Sequence, residues 1–295
     1  MDYVAHILIV IAIYAILGIS LNLLAGYTGM VSISQAAFFG IGAYASALLT
    51  VKLGVPTWIS LGMGVCACGV CGAVIALASL RLRDDYFVAA TFSFQVIVFG
   101  ILNNWVSLTG GPLGVPGVPP LDAWGWKIAS PLSFLVLVAM FLAVTLWVSH
   151  RIVASPFGRV LRAIREDEVL TEAVGKSVAT FKILVSTVSS CAAGLAGGLY
   201  VYYISFIDPT SFTVMESIFI ISIVIIGGAG DLCGSVLGAL VMIVLAEALR
   251  FVGLPTSVAA NVRQMAYGGL LVAFMIFRPH GLIGEYAFQK SSEAP

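Results

Sequence analysis

The stretch LGVPTWISLGMGVCACGVCGAVIALASL, Leu53 to Leu80, contains no Asp, Glu, Lys or Arg. Roughly 20 helical residues cross a hydrocarbon core about 30 Å thick, and this run exceeds that length. Only helices and closed barrels satisfy their backbone in lipid, and barrel strands alternate polar with apolar residues. This run does not alternate, so it reads as a membrane-spanning helix. Cys66, Cys68 and Cys71 within it, like Cys191 and Cys233, lie in or beside apolar sequence, where cysteine packs as a small hydrophobe. Without a histidine or a second CxxC pair at ligand spacing, the cluster does not make a zinc site.

The same pattern continues in both directions. Val31–Val51, Tyr86–Leu121, Ile128–His150 and Ile183–Ile207 are free of the four charged types, and Tyr3–Thr28 carries only His6. Pro209–Gly230 holds one such residue, Glu216, Leu232–Leu249 holds Glu247, and Gln264–Phe277 holds none. The chain is 60% hydrophobic and 9% charged, against roughly 25% charged in a soluble domain. A bilayer must be its solvent. Its net charge is zero, which leaves nothing to neutralise phosphates and excludes nucleic acid as a partner. The expected fold is an all-α, polytopic helical membrane protein, a single transmembrane domain over residues 1–295. Its membrane segments are placed at 4–25, 31–50, 57–80, 86–106, 131–150, 183–205, 214–227, 233–250 and 261–278. The first has only Asp2 as a preceding charge and no A-x-A site before a soluble domain, so it reads as a span and not a cleaved signal.

Orientation follows from the basic residues in the connections. With the 151–182 loop placed in the cytoplasm, that side holds Arg81, Arg83, six residues between Arg151 and Lys182, Arg278 and Lys290. The opposite side holds Lys52, Lys127, Arg250 and Arg263. The N-terminus is then outside and the C-terminus, with a short tail at 286–295, is cytoplasmic.

One island of charge stands out. Ten of the chain's charged residues fall between Arg151 and Lys182, and their centre is GRVLRAIREDE, Gly158–Glu168. Ser155-Pro156 is a helix start, because Ser caps and Pro suits the first turn. Gly175 is a stop. The expectation is one helix of about 19 residues between them, too charged to cross lipid. Arg159, Arg162 and Arg165 precede Glu166, Asp167, Glu168 and Glu172, the reverse of what one helix dipole favours. Two readings stand: a basic anchor beside anionic headgroups, and a cytoplasmic helix that docks into a partner protein through apolar anchors with charged flanks. The nearby GKS, Gly175–Ser177, is not a phosphate loop, since Leu170 occupies the position where the first glycine belongs. There is no HExxH and no GxSxG, and the chain has three His. Any ATP used must be hydrolysed by another chain.

At this point a resemblance becomes specific. GRVLRAIREDEVLTEAVGKSVATFKILVSTVSSCAAGLAGGLY, from Gly158, resembles the cytoplasmic loop and following span of LivM-type permeases of bacterial ABC transporters. Five further blocks match in order: NLLAGYTGMVSISQAAFFGIGAYASALL from Asn22, RLRDDYFVAATFSF from Arg81, LTGGPLGVPGVP from Leu108, IIGGAGDLCGSVLGAL from Ile225 and FRPHGLIG from Phe277. Two positions depart from the family: Asp84 stands where a small residue is usual, and His280 where an arginine is. The resemblance implies a membrane permease subunit of an importer for branched-chain or other apolar amino acids, working by ATP-driven alternating access. It implies a LivH-like second permease, two cytoplasmic ABC ATPases and a periplasmic substrate-binding protein. This chain would bind no cofactor, ATP and Mg residing on the ATPases. The portion Glu172–Gly175 resembles the loop by which such permeases engage their ATPases, which assigns Arg162, Arg165, Glu166, Glu172 and Gly175 to docking.

Other motifs suit a transport path. Gly194 and Gly198, and Gly230, Gly234 and Gly238, have the small-residue spacing that lets helices approach closely in lipid. They serve either static packing or helix sliding. Gly26–Gly29 and Gly227–Gly230 interrupt apolar runs in the two halves, a pointer to broken or re-entrant helices around a midplane site. Ser32, Ser34 and Gln35 follow the first break and either line a path or bond the local backbone. Glu216 is a candidate path residue, or it reaches the interface. Glu247 is spaced to pair with Arg250. The Gly- and Pro-rich segment from Asn103 to Ile128, with Trp105, Trp124 and Trp126, is expected to form an outer cap. Rivals remain: the same permease role for an amide, urea or another small solute, a self-sufficient ion-coupled transporter, and, most remote, an intramembrane enzyme. The last two need ionisable residues at the midplane, and this chain offers few.

Overall fold

A computed structural model describes residues 2–79, 84–123, 126–127, 130–250, 256–278 and 281–283. The expectations resting on Arg81, Arg83, Trp124, His280 and the 286–295 tail lie outside these residues, and the side chains of Asp84, Trp126, Arg250 and Arg263 are likewise not described.

The chain begins with α1, Asp2–Leu21, which runs into a π-helical turn at Asn22–Gly26. There follow α2 (Gln35–Leu53), α3 (Thr57–Ser79), α4 (Asp84–Asn104) and the short α5 (Val106–Thr109). Three two-residue strands come next, β1 (Val115–Pro116), β2 (Asp122–Ala123) and β3 (Trp126–Lys127). The second half contains α6 (Pro131–Ala154), α7 (Pro156–Glu166), α8 (Glu168–Ala173), α9 (Val178–Ile204), β4 (Phe206–Ile207), α10 (Val214–Gly227), α11 (Leu232–Arg250) and α12 (Thr256–Phe277). The fold is all-α. Each of the nine expected segments corresponds to a helix. Among the described residues, six of them are long and apolar enough to cross a bilayer, whereas Val214–Gly227 and Leu232–Ala248 are shorter apolar helices. Helix length alone therefore supports six of the nine expected spans.

The centre of the bundle is α1, whose Ile9, Ile13, Ile16 and Leu17 are fully buried. It packs on α6, α9, α10 and α11. Beside it, α2, α3 and α9 form a close-packed trio, and small residues explain the spacing. A Cβ added at Gly194 would come within 2.5 Å of the Cys68 Sγ, and one at Gly198 within 2.3 Å of Leu61 Cδ1. Facing them, a Cβ at Gly42 would lie 2.3 Å from the Gly194 carbonyl oxygen. Backbone contact at this range is the means of association open to helices that gain nothing by leaving lipid. The pair α10 and α11 uses the same device. Cβ atoms at Gly234 and Gly238 would approach the Gly227 and Ile223 carbonyl oxygens to 2.5 and 2.1 Å.

Contacts sort the connections into two ends. At one end, Lys52 Nζ donates to the Ser107 and Leu108 carbonyls at 2.8 Å. There too β1 pairs antiparallel with β4, Val115 opposite Ile207, and the Asp122 N–H donates to Thr57 Oγ1 at 3.1 Å. The described part of the segment expected to form a cap is thus fastened to the ends of α2, α3 and α9. At the other end lie the π-turn, α7 and the link between α10 and α11.

Candidate functional site

The charged segment is two helices, not one. Ser155 caps α7 as expected, its Oγ accepting from the Phe157 N–H at 3.2 Å, with Pro156 at the first position. The helix then ends at Glu166. Asp167 takes an extended conformation (φ −155°, ψ 108°) and its Oδ1 accepts from the Leu170 N–H at 2.9 Å, starting α8. This break removes the apparent misfit in charge order. Arg165 occupies the last turn of α7, and Asp167 with Glu168 opens α8, so both helix dipoles are complemented. Gly175 closes the unit at φ +85°, its N–H donating to the Glu172 carbonyl at 2.9 Å. Lys182, placed in a connection by the sequence pattern, lies inside α9 and pairs with Glu168 at 2.6 Å.

The five residues assigned to docking divide into two groups. Glu166, Glu172 and Gly175 are exposed, beside Val169, Leu170 and Val174, which expose 69, 62 and 71% of their surface. Arg162 and Arg165 turn instead toward their own chain. The Arg162 guanidinium sits 5.7 Å from the Tyr27 ring centroid, and Arg165 Nη1 donates to the Gly26 carbonyl. Leu161 and Ile164, buried on the same helix, hold α7 against the bundle.

Both expected breaks are real features. After the π-turn the chain stays helical through Thr28, then leaves the helix at Gly29 (φ +76°) until Gln35 opens α2. On the other side, Gly228 and Gly230 (φ 114° and 87°) separate α10 from α11. Gly230 therefore belongs to the break, while Gly234 and Gly238 form the packed face. Asn22 joins the two breaks. Its Oδ1 accepts from the Gly230 N–H at 2.9 Å, and its Nδ2 donates to the Asp231 carbonyl at 2.6 Å and to Ser235 Oγ at 2.7 Å. Residues 281–283 close the same corner: the Leu282 and Ile283 N–H groups donate to the Ile226 and Gly227 carbonyls.

Ser32, Ser34 and Gln35 are each 1% exposed and are absorbed in core hydrogen bonds. The Ser32 and Ser34 hydroxyls share one at 2.8 Å, and Gln35 Nε2 donates to Ser20 Oγ. Close by, the Ala36 N–H donates to Ser217 Oγ at 3.0 Å, and Gln95 Nε2 to the Phe212 carbonyl at 2.8 Å. Glu216 lies elsewhere. It lines a cavity of about 600 Å³ between α1, α9, α10, α11 and α12, together with His6, Tyr14, Glu247 and Tyr267. The Tyr14 hydroxyl donates to Glu216, and the Tyr3 hydroxyl to Glu247. The expected Glu247–Arg250 pair falls on an undescribed side chain. Residues 6 and 14 of α1 and residue 216 of α10 put this cavity at the end opposite Gly26 and Gly227. The wall is mixed: the two Glu residues stand with His6, Ser222, Gln264 and three tyrosines among aliphatic side chains. Among the described residues no group of His, Cys, Asp and Glu could hold a metal ion.

Asn22, Tyr14 and Gln95 were not singled out from the sequence. Each is a polar residue inside an apolar span, a type of position that is expensive in lipid.

Residues 3–277 match the family described as the branched-chain amino acid transport system permease component. The chain belongs to this permease family. It is 33% identical to the high-affinity branched-chain amino acid transport system permease protein LivM of Escherichia coli, over 92% of this chain and 68% of that one. It is 26% identical to a probable LivM permease of Methanocaldococcus jannaschii, over 96% of this chain and 94% of the relative. A probable LivH permease of the same archaeon is 22% identical, over 91 and 88%. No solved structure matches the chain. Within the permease, the matched region takes in both helix breaks, the cavity and the charged α7–α8 unit.

Proposed function

We propose that this chain is a membrane permease subunit of an ABC importer, moving branched-chain or other apolar amino acids across the inner membrane by ATP-driven alternating access. The family match over residues 3–277 carries the reading. In this scheme a LivH-like permease stands beside it, two cytoplasmic ATPases complete the complex, one of them on the exposed side of α7–α8, and a periplasmic binding protein delivers solute to the β1–β4 end. ATP and Mg belong to the ATPases; this chain binds no cofactor. The N-terminus lies outside and the C-terminus in the cytoplasm. Glu166, Glu172, Gly175 and the exposed Val169, Leu170 and Val174 form the face offered to an ATPase. Arg162 and Arg165 fasten that face to the transmembrane part. Glu216 stands on the solute route, whereas the burial of Ser32, Ser34 and Gln35 favours a role in holding the start of α2.

The test is isolation of the tagged chain in mild detergent, then uptake in proteoliposomes. Stoichiometric ATPases, a second permease and uptake that requires ATP are the expected results. Recovery of this chain alone, with uptake that an ionophore abolishes while ATP remains high, would establish the ion-coupled transporter instead.

A further inference from the structure

We propose that Asn22 is a positioning residue for coupling, clamping the end of α1 to the α10–α11 break so that a displacement of α7 moves both at once. The proposal rests on the importer reading. Asn22 is fully buried, and a buried amide is costly unless its hydrogen bonds are made. Here they are made, and the partners lie across the break between α10 and α11: the Gly230 N–H, the Asp231 carbonyl, Ser235 Oγ and, at 3.5 Å, the Gly228 carbonyl.

The neighbouring atoms show how tightly the joint is built. A Cβ at Gly26 would stand 1.7 Å from Asn22 Oδ1 and 2.6 Å from the Gly230 nitrogen. Only glycine fits there. The carbonyl of that same Gly26 accepts from Arg165 of α7, and the next residue, Tyr27, lies under Arg162. A cytoplasmic helix, the end of α1 and the α10–α11 break therefore meet within one turn of chain. That turn is π-helical, a geometry rare in proteins and frequent at functional sites.

The far ends of the clamped helices give the joint its consequence. His6 and Tyr14 of α1, and Glu216 of α10, all line the cavity. About 1.5 Å of rise per residue puts the cavity lining roughly 15–30 Å from the joint at Gly26. Two rigid helices span that distance, and Asn22 ties their inner ends together. Pushing α7 then shifts two walls of the cavity in concert; without the clamp the two are joined only by the packing of α1 on α10 and α11.

A staple that serves stability only would make the same bonds, so the test must separate force transmission from folding. The complete complex is reconstituted with its binding protein and radiolabelled leucine, with this chain unsubstituted or carrying Asn22→Ala or Ser235→Ala. Uptake, basal ATP hydrolysis, thermal unfolding and the amount of assembled complex are measured together. For Asn22→Ala, the leucine moved per ATP hydrolysed should fall about tenfold, within the usual range of coupling free energies. Basal hydrolysis per assembled complex should stay within about twofold of the unsubstituted value. Ser235→Ala, which removes one of the four partners, should lie between. If Asn22→Ala does not assemble, Ser235→Ala decides: a lowered ratio supports the clamp and an unchanged ratio overturns it. Uptake and hydrolysis falling in proportion to assembled complex would also overturn it. An unsubstituted complex whose uptake does not depend on ATP would overturn the importer reading, and the clamp with it.

Discussion

Glu216 shows what one residue's surroundings decide. From its position near the start of an apolar helix it could have reached the interface; instead it faces a cavity and accepts the Tyr14 hydroxyl. A side-chain hydrogen bond contributes about 0.5–1.5 kcal/mol. Tyr14→Phe should therefore lower uptake severalfold at unchanged complex levels, measured with radiolabelled leucine. Uptake within twofold of the parent would separate Glu216 from the solute route. Gly175 is decided by backbone alone. At φ +85°, with nothing near the position a Cβ would take, an L-residue costs about 1–2 kcal/mol in this conformation. Gly175→Ala should weaken ATPase retention on a column without altering the unfolding temperature of the membrane part. Weakened unfolding with intact retention would point to a structural role only.

At the level of elements, the sequence made the nine helical segments legible because charge-free runs are long and lipid leaves few alternatives to a helix. Breaks were legible where glycine marked them. The division of α7 from α8 was not, because Asp167 reads equally as a surface residue of one long helix and as the cap of a second. The reversed charge order was the available clue: one helix carrying it would oppose its own dipole, two helices do not. Asp167 is therefore the residue on which the break depends. Loss of an N-cap costs about 1 kcal/mol, so Asp167→Ala should speed amide exchange across residues 168–174 several-fold and leave α7 protected. Equal exchange in both variants would show that the turn at Gly175 and the Lys182–Glu168 pair suffice to hold α8. The joint at Asn22 was hidden for a different reason. A lone Asn inside an apolar span announces cost, but its partners lie more than 200 residues away, beyond the reach of any local pattern. Packing elements carry their own test. Gly194→Val would push a branched side chain toward Cys68, and overpacking costs about 1–3 kcal/mol. Lower yield and a lower unfolding temperature of the complex are expected, with no change in leucine moved per ATP in what survives.

For the whole molecule, the question is which way the force travels. One end carries the exposed Val169, Leu170 and Val174 among acidic residues, and the other carries the β1–β4 pair and the cavity. Arg162 and Arg165 are committed to the chain's own backbone and aromatic ring, so the surface left for a partner carries Glu166, Asp167 and Glu172 with the exposed cations Arg159 and Lys176, around three aliphatic side chains. An ATPase that binds it should set basic groups against Glu166 and Glu172 and apolar groups against the aliphatic ones, and reversing those two charges should repel it. Long-range attraction between exposed charges is screened within about 10 Å at 0.1 M salt, so the effect belongs to the bound state and not to encounter. Glu166→Lys with Glu172→Lys should therefore insert normally, keep the second permease, and lose both ATPase retention and uptake. Placement of this face in the cytoplasm is checked on the same material by substituting Val169→Cys and labelling with a membrane-impermeant maleimide. Labelling in inverted vesicles and not in intact spheroplasts is expected. The reverse pattern would invert the topology and put the α7–α8 face out of reach of a cytoplasmic ATPase.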